Sequence, residues 1–174
     1  MTRLRQAAKP GTRRPGGRTE RNRRTVAQAA LDLLRQGETR LSPAEVAEKA
    51  GVNVSTIYRR WPTRNHLLRE ALTLHTRSLR IPDTGDFASD VHALARALAR
   101  FFSDPTEIAL SAAMAANEDP DFTRYQSRWW AEGISRELAA IFERAAGRDE
   151  LAPGADVEIL IELLVSPMVV RTVV

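Results

Sequence analysis

Between Val54 and Arg64 the chain gathers Ser55, Thr56, Tyr58, Arg59, Arg60 and Arg64 into one short stretch. Hydroxyls and guanidinium groups at that density suit recognition rather than bond making. Arginine can hold guanine O6 and N7 together, hydroxyls can take phosphate oxygens, and a methyl group can meet thymine. Other chemistry is not expected. The chain has no cysteine, which excludes disulfides, thiolate metal sites and cysteine nucleophiles. His66, His75 and His92 lack the spacing of a metal site. No Ser/His/Asp set, glycine-rich phosphate loop or close pair of carboxylates stands out, so neither an enzyme nor a cofactor is expected.

The elements that would position this stretch are written locally. Ser42-Pro43-Ala44-Glu45 is a capping box with proline at the first helical position. Leu41 and Val46 flank it at the spacing of a hydrophobic staple. Gly51 falls where a helix end needs a left-handed residue, and Asn53 can cap a second short helix running to Trp61. Val46, Ala50, Val52, Ile57 and Trp61 would then share a small core, leaving Ser55, Thr56, Tyr58, Arg59 and Arg60 outside. A short helix with that outer face fits a DNA major groove.

Charge is distributed to match. Residues 1–24 hold nine basic side chains against Glu20 alone, residues 25–70 hold seven against five, and residues 71–174 hold ten against sixteen, for a net +4. A basic end on an acidic body suits a polyanion held at one end only. Residues 1–18, arginines among Pro10, Gly11, Pro15, Gly16 and Gly17, read as a disordered basic arm. Within and just after it Arg18, Arg21, Arg23 and Arg24 could follow phosphates or enter a minor groove, or serve only as a solubilising tail.

Helical periodicity covers the remainder, so the expected fold is all-α. A helix from about Glu20 to Gln36 precedes the helix-turn-helix, and a longer one follows a Thr63 cap. Asp104-Pro105-Thr106-Glu107 restarts a helix with another capping signal, and residues 122–146 form the longest periodic run. Val157–Val174 is apolar almost all round after Glu162, as in a buried or interface helix, with Pro167 expected to bend or end it. The expected domains are the arm (1–18), a helix-turn-helix domain (19–66) and a helical ligand-binding and dimerisation domain (67–174). Phe101, Phe102, Met114, Phe122, Tyr125, Trp129, Trp130 and Met168 are candidates for an apolar cavity between helices; the same residues would also make an ordinary core. No signal peptide or membrane span is expected.

Residues 24–72 resemble the DNA-binding region of the tetracycline-repressor (TetR) family of bacterial regulators. The resemblance lies in Ala29-Ala30, Leu33 and Gly37, in Val46-Ala47 and Ala50-Gly51-Val52, and in Thr56-Ile57-Tyr58, Trp61, Thr63-Arg64 and Leu67. Leu41-Ser42 stands where the family usually has a Thr pair, Asn53 where it has Ser, and Arg64 where it has Lys. The resemblance implies a cytoplasmic, nucleoid-associated homodimer on a palindromic operator, more often a repressor, answering to a small-molecule effector. It implies Tyr58 on a phosphate. The side chains themselves suggest Val54 or Ser55 on base edges, Thr56 on a phosphate or a thymine methyl, and Arg64 on a phosphate at a helix start. They also suggest Arg59 and Arg60 on DNA, Arg59 reaching a guanine and Arg60 a phosphate, with base and phosphate both open for each. The resemblance also implies two C-terminal helices that pair across the dimer, and Val173-Val174 falls inside that region. The alternatives that composition leaves open are a nonspecific architectural DNA-binding protein and a helical interaction module without DNA binding.

Overall fold

The computed structural model describes residues 17–173. The expected arm therefore lies almost wholly outside the described residues, as does the side chain of Arg18. All the regular elements among the described residues are helical: α1 (Gly17–Arg35), α2 (Pro43–Ala50), α3 (Val54–Arg60), α4 (Arg64–Thr76), α5 (Phe87–Phe102), α6 (Pro105–Ala115), α7 (Pro120–Trp129), a π-helical turn (Trp130–Ile134), α8 (Ser135–Gly147) and α9 (Val157–Val173).

Local chemistry accounts for the first three. Val26, Ala29, Ala30, Leu33 and Leu34 line the buried face of α1. The helix stops at Gly37, whose φ of 88° lets Glu38 N–H reach the Leu33 carbonyl at 3.0 Å and Gly37 N–H the Leu34 carbonyl at 2.9 Å. The α2 capping box forms in full: Glu45 N–H donates to Ser42 Oγ at 3.2 Å, and Ser42 N–H donates to the Glu45 carboxylate at 3.1 Å. A cap of this kind contributes about 1 kcal/mol. Gly51 (φ 61°) closes α2 by the same pair of bonds as Gly37, from Val52 N–H to Ala47 and from its own N–H to Glu48. Leu41 and Val46 are both fully buried, so the staple holds.

Two apolar cores follow. The first joins α1, α2, α3 and α4 to Leu110, Ala113 and Met114 of α6 and Phe122 of α7. The second joins Leu94 and Leu98 of α5 to Ile134, to Leu138, Ile141 and Phe142 of α8, and to Ile161 and Val165 of α9. The expected boundary after residue 66 falls inside α4, which packs on both α1 and α6. Arg23 ties α1 to α4 through Glu70, with Nη2–Oε2 at 3.1 Å.

Three local expectations need correction. Thr63 makes no cap bond to the α4 backbone; its hydroxyl pairs with His66 Nδ1 at 2.7 Å, which removes it from capping. The periodic run from Phe122 is interrupted by the π-helical turn and is not one uniform helix. Pro167, expected to bend or end α9, does not end it: the helix runs through it to Val173. Pro167 lies on the exposed side of the helix, on the same face as Leu163 and Val170.

Candidate nucleic-acid interface and interhelical cavity

Helix α3 is held by its inner residues and by its cap. Ile57 is fully buried and Trp61 nearly so, both in the first core. Asn53 Oδ1 accepts from Ser55 N–H at 2.9 Å and from the Ser55 hydroxyl at 2.7 Å, satisfying an amide that the helix leaves orphaned. The opposite side faces out. Val54 is 46 % and Tyr58 51 % exposed, Ser55, Arg59 and Arg60 are exposed, and Thr56 is half-buried. Among the described residues neither Arg59 nor Arg60 forms an ion pair, so both guanidinium groups remain available. Arg21 and Arg24 are exposed on α1 and border a shallow groove together with Lys49 at the end of α2.

Arg64 departs from this surface. Its Nε donates to the Thr39 carbonyl at 2.9 Å and its Nη2 to the Ala113 carbonyl at 3.0 Å. The guanidinium is partly buried, and that burial lowers its pKa from the ordinary arginine value. It therefore links the α1–α2 loop, the start of α4 and the last turn of α6, where carbonyls lack helical partners and favour a cation. Beside it Asn65 Nδ2 donates to Asp119 Oδ2 and Asn117 Nδ2 to Asn65 Oδ1, each at 2.6 Å. The start of α4 is thereby fastened to the α6–α7 connection.

Between α4, α5, α6, α7 and the π-helical turn lies a cavity of about 470 Å³. Phe101, Phe102, Met114, Trp129 and Trp130 line it, as the sequence suggests. Phe122, Tyr125 and Met168 do not. Phe122 is sealed in the first core, Tyr125 lies under the Arg69 guanidinium at 4.3 Å, and Met168 packs against the second core. Sequence reasoning missed the polar part of the wall. Glu107, only 5 % exposed, turns inward from α6, accepting the Ser111 hydroxyl at Oε1 (2.7 Å) while Oε2 stands 3.1 Å from His75 Nε2. Its place in Asp104-Pro105-Thr106-Glu107 suggests an outward cap, but Asp104 alone does the capping, accepting from Thr106 N–H at 2.7 Å. The available signal was the i, i+4 spacing of Glu107 and Ser111 on the apolar side of α6.

Comparison with known proteins agrees with this geometry. Residues 27–71 match the family model described as bacterial regulatory proteins, tetR family, and residues 81–174 match that of the tetracyclin repressor-like C-terminal domain. The HTH-type transcriptional regulator AqdR of Rhodococcus erythropolis is 31 % identical over 83 % of this chain and 70 % of its own length. The uncharacterized HTH-type transcriptional regulator YdeS of Bacillus subtilis is 27 % identical over 90 % of this chain and 81 % of its own. Among solved structures, the TetR family transcription regulator SCO0332 superposes with a TM-score of 0.72 at 24 % identity, covering 88 % of this chain and 86 % of its own. Salmonella enterica GusR superposes with a TM-score of 0.66 at 18 % identity, covering 87 % and 82 %.

Proposed function

Because the chain belongs to the TetR family of bacterial transcriptional regulators, we propose that it acts as a homodimeric, ligand-released repressor on a palindromic operator in the cytoplasm. The observation that carries the reading is the division of α3, with Ile57 and the following Trp61 locked inward and Val54–Arg60 otherwise turned out. In this reading Val54, Ser55 and Arg59 read base edges, and Thr56, Tyr58 and Arg60 hold phosphates. Arg18, Arg21 and Arg24 add sequence-independent attraction.

Dimerisation is assigned to α9. Its inner face supplies Ile161 and Val165 to the second core, while Ile159 (53 % exposed), Leu163 (67 %) and Val170 form a second apolar stripe on its outer face. A helix apolar on both faces needs a cover on both, and a second copy covers it symmetrically.

Effector response runs through α6 and α4. Met114 lines the cavity and its neighbour Ala113 holds Arg64, so a ligand that displaces α6 also moves the start of α4 and the α3 attached to it. Two recognition helices must fit one duplex together, and a small change in their separation is enough to lose that fit. Selection of bound sequences from random DNA by the purified protein tests the reading. A two-fold symmetric motif is expected; binding that ignores sequence would refute it.

A further inference from the structure

The cavity wall has one charged residue among those described, and it is buried. Glu107 holds its carboxylate between the Ser111 hydroxyl and His75 Nε2, and the His75 ring is in turn stacked on Phe101, with centroids 4.6 Å apart. The carboxylate stands at the edge of a mostly apolar space, whose other polar lining residues, Thr76, Ser111, Gln126 and Ser127, carry no charge. A buried carboxylate so placed penalises an anion and favours a compensating cation. The aromatic residues act in the same direction. Phe101, Phe102, Trp129 and Trp130 border the space, and ring faces attract cations, best when water is excluded.

Resting on the reading of this cavity as the effector site, we propose that it takes ring-containing organic cations: a flat apolar body among the four aromatic side chains, with a protonated or quaternary nitrogen toward Glu107. A cavity of about 470 Å³ admits a molecule of several fused rings.

Three probes matched in shape test the assignment: 1-pyrenemethylammonium, 1-pyrenemethanol and 1-pyrenecarboxylate, titrated against the full chain with tryptophan quenching as the readout. The cation is expected to bind at least tenfold more tightly than the alcohol, and the carboxylate most weakly. Glu107→Gln retains an acceptor for Ser111 and should bring the cation to the affinity of the alcohol, leaving the alcohol unchanged. Equal affinities for cation and alcohol in the unsubstituted protein, or a preference for the carboxylate, would overturn the charge assignment and leave the cavity reading standing. Failure of all three probes to bind would overturn both. The unsubstituted protein alone decides between these outcomes should the variant fail to fold.

Discussion

Arg64 Nη2 donates to the Ala113 carbonyl at 3.0 Å, across forty-nine positions of sequence. An arginine one residue inside a helix start looks suited to a phosphate, yet here its Nε and Nη2 both donate to main-chain carbonyls. Two consequences separate these roles. Arg64→Ala should lower thermal stability by about 1–3 kcal/mol, the usual cost of leaving partly buried carbonyls without a donor. It should also leave the slope of log K against log salt for DNA binding unchanged. A slope reduced by about one, with stability intact, would instead place Arg64 on a phosphate.

On α3 the expected effects differ in kind. Arg59→Ala should cost about 1–3 kcal/mol on the selected operator and relax preference at one base pair, as loss of a bidentate base contact does. Tyr58→Phe removes only a hydroxyl and should weaken binding by about 1 kcal/mol on every sequence alike. Binding assays on the operator and its single-base variants distinguish the two. Identical profiles for both substitutions would contradict the assignment of Arg59.

The outer stripe of α9 predicts the oligomeric state. Leu163→Glu should convert the dimer to a monomer in sedimentation experiments while helix content stays constant, because Leu163 touches little within its own subunit. Loss of one buried leucine on each side amounts to on the order of 4 kcal/mol, about a thousandfold in dissociation constant. A dimer that persists unchanged would move the interface elsewhere.

Asp90 supplies a pH dependence. Burial, the largest single influence, pushes its pKa up, but the Thr84 amide (2.6 Å) and hydroxyl (2.8 Å), with Arg144 and Arg148 behind them, outweigh it and hold the carboxyl below its ordinary 3.8. A depressed folded-state value means that the ionised form stabilises the fold above pH 3.8, and that this contribution is lost as pH falls through the lower folded value. Asp90→Asn should be less stable at neutral pH, and its stability should fall less steeply in acid. Since Asp86 and Asp104 are lowered by their own cap bonds and titrate in the same region, the difference between the two denaturation series is the quantity to follow.

The helix-turn-helix was legible because its information is local. Ser42 with Glu45, Gly51 and Asn53 each act within a few residues, and the structure realises each bond that their spacing implies. Long-range partners were not legible. Nothing near Arg64 points to Ala113, and nothing near His75 points to Glu107, thirty-two residues on. Periodicity ranked the aromatic residues by face but could not tell core from cavity, so Phe122 and Trp129 looked alike, although Phe122 is sealed in the first core and Trp129 is only partly buried and lines the cavity.

The π-helical turn from Trp130 to Ile134 has a mechanical effect on everything around it. An extra residue in the hydrogen-bonded ring shifts the phase of the helical thread by about 100°; Phe122 ahead of it packs in one core and Leu138 beyond it in the other. Trp129, at the joint, packs against both. Excising a single residue there would give a smoother rod but turn one set of knobs away from its socket. The irregularity is a gear offset that sets the phase at which one rod meets two separately packed halves.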